Sequence, residues 1–466
     1  MSTPDLEGAA SPADVEGGLW APALRPLTVG LVLTVTLVAF ESLAVATVMP
    51  EVKDDLGDLA LYGWVFSGFF LGSLVGITVS GQVADRKGMA VPFSFGLLLF
   101  SLGLVIGGAA VSMPMLVVGR VAQGFGAGAI VPTAYTAIGR GMPARLRPRM
   151  FATLASAWVV PGLAGPAVAV AIAHASSWRW VFLGLLPMVA LAGLASVGPL
   201  RELDRRVPVE PSPLDRGRLG RVVVLVIGVG VVLAASDVEE LPGALAMVAI
   251  GLPVAVWAFR VLQPVGTLSL RSGVPATVAV RGLLTWAFFA GDAYVPLAIT
   301  DGLGGSTWLA GLALSTGAVF WTGGAWIQAR TIDDVGPRCL VGSGAALVAV
   351  GAVGMVATIH GLPVGSAVAA WATAAAGMGL AYAPLSVTVL AAATPGEEGE
   401  ASAALHLSDT LGTAIGTGLG GAIVALGDGR GWSVAHSTHW VFVLVLTMAA
   451  VVVTGSRRLP RSVLSS

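Results

Sequence analysis

Residues 27–49 read LTVGLVLTVTLVAFESLAVATVM, an apolar run with a single ionisable side chain, Glu41. A helix rises about 1.5 Å per residue, so a run of this length crosses the roughly 30 Å hydrocarbon core of a bilayer. The preceding residues 1–24 contain Asp and Glu but no Lys or Arg, the opposite of the basic start of a secretory signal peptide. We therefore expect this run to remain in the protein as its first transmembrane helix.

Similar apolar runs continue along the chain and predict an all-α integral membrane protein. The predicted spans number fourteen: 27–49, 61–80, 91–111, 114–138, 150–174, 179–198, 221–236, 242–260, 275–300, 306–328, 339–359, 362–391, 401–425 and 437–455. They divide the chain into a tail at 1–26, a six-helix half at 27–198, a polar linker at 199–220, two extra central helices at 221–260, a six-helix half at 275–455 and a tail at 456–466. The central pair has the weakest pattern, and twelve spans remain the alternative.

The composition excludes an ordinary soluble enzyme. Of 466 residues, 56% are hydrophobic and 11% charged, whereas soluble domains carry about 25% charged residues. The net charge of -1 gives no reason to expect a nucleic-acid partner, and the single Cys339 permits no intrachain disulfide. The sequence contains no phosphate-binding Gly-x-x-x-x-Gly-Lys-Ser/Thr loop and no catalytic His-Glu-x-x-His or Gly-x-Ser-x-Gly motif. We expect no enzyme activity, no cofactor and no metal.

The distribution of basic residues predicts the orientation. Lys and Arg concentrate in loops on one side of the predicted membrane, as at 140–149, 201–221 and 457–461. The opposite loops hold only Lys53, Arg179 and Arg430. This asymmetry predicts a multi-pass protein of the cell membrane with both termini in the cytoplasm.

The two predicted halves resemble each other in sequence. Residues 81–88 (GQVADRKG) follow the second span, and residues 329–336 (ARTIDDVG) follow the corresponding span of the second half. Likewise, 124–126 (GFG) in the fourth span corresponds to 377–379 (GMG) in the twelfth. Two related six-helix halves with a site between them are typical of secondary transporters, although glycine-rich helices can also match by chance.

These segments resemble the major facilitator superfamily, in particular its fourteen-span drug:proton antiporters. The turn at 81–88 is similar to the Gly-x-x-x-Asp-Arg-x-Gly signature, although Met89 and Ala90 replace the usual basic pair. Residues 116–128 are similar to the fourth-helix motif tied to proton coupling. Glu41 takes the place of the usual Asp in the first-helix motif.

The resemblance implies a fold of two six-helix halves related by a pseudo-twofold axis, with two extra central helices. It also implies a conformational latch at the inner turns, formed by Gly81, Asp85, Arg86, Gly88 and Asp333. The alternative is a charged turn that only fixes topology. The resemblance further implies a helix-packing motif of Gly124, Gly162, Gly165 and Pro166. In the fifth-helix antiporter motif, Ala169 and Val170 stand where two glycines are usual, which weakens the implied direction of export.

Ionisable residues inside spans cost about 2.5–3.5 kcal/mol each and therefore mark candidate functional sites. Counting helical rise from the outer surface places Glu41 roughly 13 Å deep and Arg120 roughly 9 Å deep. We expect them to interact, with Arg120 keeping Glu41 ionised until a proton arrives. The alternative is a fixed ion pair that only neutralises both charges.

Asp292 lies roughly 12 Å from the outer end of the ninth span, close to the repeat equivalent of Glu41. Glu41 and Asp292 are both candidates for proton coupling and for substrate binding. Aromatic side chains could complete a binding surface for a lipophilic cation, unless they face lipid. The aromatic candidates are Trp158, Trp286, Phe288, Phe289, Tyr294 and Trp321.

Two further charges lie near the inner ends of spans. His406 and Asp409 share a helix face at i and i+3, which is suitable for a proton relay, although both could be wetted vestibule residues. Arg281 is expected to extend its side chain to lipid phosphate.

The sequence therefore predicts a proton-coupled exporter of small amphipathic organic compounds, including cationic ones, of the multidrug-efflux type. Proton-coupled uptake of a metabolite or nutrient is the alternative, and a membrane-embedded enzyme or receptor is a third class. The expected partners are the substrate, protons and the lipid bilayer. We expect a monomer, because each chain holds both halves of one site.

Overall fold

The computed structural model describes residues 18–22, 24–142, 159–206, 215–235, 240–392 and 398–461, with isolated positions between them at 146, 150, 153, 154, 156, 157 and 238. The described part contains fourteen long helices. They are α1 Arg25–Leu56, α2 Tyr62–Lys87, α3 Ala90–Gly108, α4 Met113–Gly141, α5 Val159–Ala175, α6 Leu186–Arg206, α7 Arg216–Ala234, α8 Leu241–Leu262, α9 Val274–Asp292, α10 Thr307–Val335, α11 Pro337–Ile359, α12 Ser366–Ala391, α13 Glu398–Gly429 and α14 Val434–Gly455.

Twelve helices of the described chain are long and apolar enough to cross a membrane, and the central α7 and α8 are among them. Helices α5 and α10 are not in that set, so the count of fourteen spans stays a prediction. Helix α6 continues to Arg206, into the predicted linker at 199–220, whose bounds stay a prediction. Glu202 forms ion pairs with Arg205 and Arg206 one turn away, and such i, i+3 and i, i+4 pairs support a helix.

Glycines bring the helices of each half together. A Cβ atom on Gly124 would lie 1.9 Å from the backbone oxygen of Phe69, and one on Gly76 would lie 2.2 Å from that of Phe125. Helices α2 and α4 therefore pack backbone against backbone, as small residues allow between membrane helices. Gly124, predicted as a packing residue, lies in this contact.

The two inner turns have the same conformation in both halves. Gly88 ends α2 with φ +80° and ψ 172°, and Gly336 ends α10 with φ +78° and ψ 157°. In each case the glycine N–H donates to a carbonyl four residues earlier, that of Ala84 or Ile332. Positive φ favours glycine, so the turn geometry agrees with the predicted repeat.

The fourth helices of the two halves match in a different register from the predicted one. A Cβ atom on Gly126 or Gly377 would lie 2.5 or 2.3 Å from a backbone oxygen of α3 or α11, respectively. On Gly128 or Gly379 it would lie 2.3 or 2.0 Å from a backbone oxygen of α2 or α10. Gly126 therefore corresponds to Gly377, and the predicted match that started at Gly124 is wrong by two residues. Glycine at every second position made the sequence match ambiguous.

Helices α7 and α8 pack on each other and lie beside the junction of the halves. Gly228 of α7 closely approaches the backbone of Ala255 in α8. The other face of α7 joins a hydrophobic cluster with Leu74 of α2 and Leu411 of α13. The central pair thus covers the place where α2 of the first half meets α13 of the second.

Candidate substrate and proton site

The two halves touch where α1 ends and α2 begins, which we call the outer end, following the predicted orientation. Lys53 of α1 forms an ion pair with Asp301, which lies in a π-helical turn beyond α9. A Cβ atom on Gly63 of α2 would lie 2.5 Å from the Cα atom of Gly421 in α13. Tyr62 packs against Tyr294 with ring centroids 5.5 Å apart. The outer end is therefore closed by charge, backbone and aromatic contacts between the halves.

Glu41 and Arg120 form an ion pair in the first half. Arg120 Nη1 of α4 donates a hydrogen bond to Glu41 Oε1 of α1. Glu41 is completely buried and Arg120 is 3% exposed. The structure thus brings Glu41 and Arg120 into contact, as expected from their compatible depths along the predicted spans.

Arg120 has further partners that do not depend on Glu41. Its Nε donates to the backbone oxygen of Val65 at 3.0 Å, and its Nη1 also donates to Gln123 Oε1 at 3.1 Å. Its guanidinium carbon lies 4.4 Å from the ring centroid of Phe69. Within the described residues, Glu41 Oε2 is buried and receives no hydrogen bond. The arginine is held from several sides, whereas within the described chain the arginine is the one hydrogen-bond partner of the carboxylate.

Asp292 ends α9 in the second half and has a neutral partner. Trp371 Nε1 of α12 donates to Asp292 Oδ1 at 2.8 Å. No cation pairs with Asp292 among the residues that the structure describes. Trp371 is fully buried and stacks on Phe288 at 5.1 Å between ring centroids. Sequence reasoning does not identify Trp371, because α12 follows α9 only after a long stretch of chain.

An aromatic cluster extends from this carboxylate. Phe288 meets Trp321 at 5.3 Å, Trp321 meets Tyr382 at 5.6 Å, and Phe289 meets Phe70 of the first half at 6.5 Å. Phe289 and Trp321, both predicted to bind substrate, therefore lie in one cluster near Asp292. The cluster also bridges the two halves.

The other predicted aromatic residues lie elsewhere. Tyr294 is completely buried in the closed outer end, and its hydroxyl donates to the backbone oxygen of Thr417 at 2.7 Å. Trp286 faces α13 at Gly416, and its indole N–H is buried without a hydrogen-bond partner in the described chain. Trp158 lies outside the described residues.

Arg281 pairs with Asp409 near the inner end of the second half. Arg281 Nε donates to Asp409 Oδ1 at 2.9 Å, and its Nη1 donates to the backbone oxygen of Tyr382 at 2.7 Å. The Tyr382 hydroxyl donates to Asp409 Oδ2 at 3.0 Å. Arg281 is 2% exposed, so the expectation that it extends to lipid phosphate is wrong. The partly buried carboxylate of Asp409 on α13, with a side chain 16% exposed, accounts for the difference.

His406 lies beside this pair but does not belong to it. Its ring centroid is 6.5 Å from that of Tyr135 on α4 in the other half. No hydrogen bond joins His406 to Asp409 in the described part of the chain. Asp409 instead contacts Arg281 and Tyr382 across the helices, and the relay role of His406 stays a prediction.

At the inner turn, Asp204 is the residue that the sequence did not indicate. Its Oδ1 and Oδ2 accept hydrogen bonds from the backbone N–H groups of Met89 at 2.8 Å and Ala90 at 2.9 Å. A carboxylate at the N-terminus of α3 stabilises the helix dipole, and it ties α6 to the turn between α2 and α3. Of the predicted latch residues, Arg86 is exposed and Gly81 has open space around it. The side chains of Asp85 and Asp333 are not among those that the structure describes.

The remaining packing residues lie on α5. A Cβ atom on Gly162 would lie 2.7 Å from the Cβ of Ala318 on α10, across the junction of the halves. Gly165 faces Phe40 of α1 at 3.6 Å, and Pro166 approaches Gly311 of α10. These residues permit close contact both within the first half and between the halves.

The sequence and fold match known transporters. Residues 31–384 match the Major Facilitator Superfamily. A probable multidrug-efflux transporter of Mycobacterium tuberculosis (strain ATCC 25618 / H37Rv) is 30% identical over 488 residues, which cover 96% of this chain and 99% of that protein. Multidrug resistance protein 3 of Bacillus subtilis (strain 168) is 31% identical over 166 residues, 36% of this chain and 32% of that protein.

Two solved structures share the fold. A D-xylose-proton symporter matches with a TM-score of 0.66 and 17% identity, covering 94% of this chain and 98% of that one. The POT family transporter PepTSo matches with a TM-score of 0.68 and 13% identity, covering 92% and 97%. At these identities the structures establish the fold alone. Because the family match spans most of the chain and an efflux relative aligns along nearly its full length, this protein is a membrane transporter of the Major Facilitator Superfamily and not an enzyme.

Proposed function

We propose that this chain is a proton-coupled exporter of small amphipathic organic compounds, including lipophilic cations. It would work by alternating access as a monomer with fourteen spans and with both termini in the cytoplasm. The multidrug-efflux relative supports the class of substrate. The observation that carries the proposal is the placement of one carboxylate in each half at membrane depth: Glu41 is paired with a cation, whereas Asp292 has no cation partner among the described residues.

Glu41 is suited to proton coupling because Arg120 keeps its position when Glu41 loses its charge. The Val65 carbonyl, Gln123 and the Phe69 ring hold the guanidinium independently of the carboxylate. A proton arriving at Glu41 would therefore break one ion pair without unseating the arginine. Protonation of Glu41 would then change the position of α1 relative to α4.

Asp292 is suited to an organic cation because its present partner is a neutral indole. A cation beside it would gain a charge partner and the faces of Phe288, Phe289 and Trp321, which form a surface for cation–π contact. A proton could neutralise the same carboxylate in the absence of substrate. Competition between proton and cation at one group is a direct way to couple their movements in opposite directions.

The test uses inverted membrane vesicles with an imposed proton gradient and a panel of fluorescent amphipathic compounds, some cationic and some neutral. Addition of a transported compound should cause proton release from wild-type vesicles. Glu41→Gln should abolish the release for every compound, whereas Asp292→Asn should abolish it for cations and spare neutral compounds. Asp428→Asn, which changes an exposed carboxylate at the end of α13, is the matched control and should behave like the wild type.

Two results would contradict the proposal. Full proton coupling in Glu41→Gln would remove the assigned proton site. If the proton gradient drives compound and protons in the same direction across the vesicle membrane, the protein takes up its substrate by symport.

A further inference from the structure

A cavity of about 450 Å³ lies at the inner end of the first half, away from the site described above. It opens between the α2–α3 turn and the end of α6. Its lining residues are Lys87, Ala90, Val91, Ser94, Arg201, Asp204 and Arg205. Three cationic side chains therefore share this cavity with one carboxylate.

The carboxylate does not neutralise these cations. Both oxygens of Asp204 accept hydrogen bonds from backbone N–H groups at the start of α3 and interact with the positive end of the helix dipole, and one carboxylate against three cations leaves a net positive charge. Lys87 and Arg201 are exposed and have no ion-pair partner within the described part of the chain. Arg205 forms an ion pair with the exposed Glu202 at 3.4 Å, and Glu202 does not line the cavity. The cavity thus presents uncompensated positive charge.

An apolar surface begins at the edge of the cavity and continues towards the membrane centre. On α3, Val91 is 45% exposed, Phe95 49% and Leu98 64%, and their spacing places them on one face. Leu191 and Leu194 of the neighbouring α6 are 58% and 81% exposed. Val91 belongs both to this surface and to the cavity wall, so the charged and apolar regions are continuous.

We propose that the cavity binds the phosphate headgroup of an anionic phospholipid, whose acyl chains lie along the exposed face of α3 and α6. Lys87, Arg201 and Arg205 would pair with the phosphate, and the Ser94 hydroxyl would donate to it. Basic pockets between transmembrane helices are chemically matched to such headgroups. The adjoining apolar surface favours a lipid over a soluble anion, which would leave that surface unused. A bound lipid would join α6 to the α2–α3 turn beside the contact that Asp204 already makes.

The first experiment measures lipid retention by native mass spectrometry after incubation with equal amounts of phosphatidylglycerol and phosphatidylcholine. The triple variant Lys87→Gln, Arg201→Gln, Arg205→Gln should lose about tenfold or more of the preference for phosphatidylglycerol. The matched control is Arg457→Gln, Arg458→Gln, Arg461→Gln, which removes the same charge from exposed positions near the end of α14. An equal loss of preference in both triple variants would overturn the site, because it would indicate diffuse attraction to surface charge.

The second experiment locates the lipid without removing any cation. Ser94→Cys in a Cys339→Ser background places the one thiol of the chain in the cavity wall. Phosphatidylglycerol should slow its reaction with a maleimide by at least about fivefold, whereas phosphatidylcholine should not. If inorganic phosphate at the same concentration protects equally well, the cavity is a soluble-anion site and the lipid proposal fails. Equal labelling with and without phosphatidylglycerol would also overturn it.

Discussion

The ion pair between Lys53 and Asp301 should hold the outer end closed, and Asp301→Asn is the least disruptive way to remove it. The substitution keeps the shape of the side chain and its neighbour Thr300, whose hydroxyl donates to Asp301 Oδ1 at 2.8 Å. Lys53 keeps Asp54, which lies 2.8 Å away in its own half. The variant therefore removes one charge contact between the halves and leaves the local partners of both residues.

The expected magnitude follows from the burial of the pair. The side chains of Lys53 and Asp301 are 18% and 17% exposed, so water screens them less than an ordinary surface pair, which contributes about 0–1 kcal/mol. Breaking a fully buried pair costs about 3–5 kcal/mol. An intermediate value of about 2 kcal/mol would raise the population open at the outer end by roughly 30-fold.

The assay measures access to a thiol beneath this contact. Ser67 of α2 is fully buried, and its hydroxyl donates to the Ala414 backbone of α13 at 2.9 Å, so Ser67→Cys is reachable only when the halves separate. In a Cys339→Ser background, Asp301→Asn should increase the labelling rate by a membrane-impermeant maleimide applied from outside. Asp54→Asn, which alters only the partner within the first half, should not. An unchanged rate in Asp301→Asn, or an equal increase in both variants, would refute the assignment of the pair as a contact that holds the halves together.

Three further substitutions test the packing and the second ion pair. Gly63→Ala should increase the same labelling rate, because its Cβ would lie 2.5 Å from the backbone of α13; Gly198→Ala, on α6 with nothing within 4 Å, is the control. Gly88→Ala should lower the melting temperature, since the residue has φ +80° and its Cβ would lie 2.5 Å from the carboxylate that caps α3; an unchanged melting temperature would mean that the turn relaxes. Arg281→Gln should cost about 3–5 kcal/mol of stability by leaving Asp409 without its cation, and adding Asp409→Asn should recover most of that loss in thermal unfolding. If the double variant is no more stable than the single one, the charge of Asp409 is not the source of the cost.

The sequence was sufficient to predict contacts that depend on depth alone. Glu41 and Arg120 lie on helices that run through the same membrane, and a fixed rise per residue gave them compatible heights. The inner turns could also be predicted, because Gly88 and Gly336 follow similar sequences and both have positive φ. Such features depend on the local sequence and on the direction in which each helix crosses the bilayer.

Contacts between distant helices could not be predicted in the same way. Trp371 has no polar neighbour in sequence, and only the packing of α12 against α9 brings its N–H to Asp292. Arg281 was expected to reach lipid phosphate because a charged side chain inside the membrane needs a partner. The partner, Asp409, lies on another helix and cannot be identified from the sequence around Arg281. Asp204 is similar, since the charged end of α6 looks like a solvated segment until α3 is placed against it.

The positions of four charged residues indicate how a change of charge at Glu41 or Asp292 can affect the outer end. Glu41 and Lys53 lie on α1, and Asp292 and Asp301 lie on α9 and its continuation, so each helix carries one central carboxylate and one partner of the outer ion pair. In both helices an irregularity separates the two charges: Pro50 within α1, and an interruption followed by a π-helical turn after Asp292. Proline and π-turns are the usual places where long helices bend. We infer that a change of charge at either carboxylate can alter the angle of the outer segment of its helix, and thereby the fit of Lys53 to Asp301, while the inner parts of α1 and α9 stay packed in their own halves.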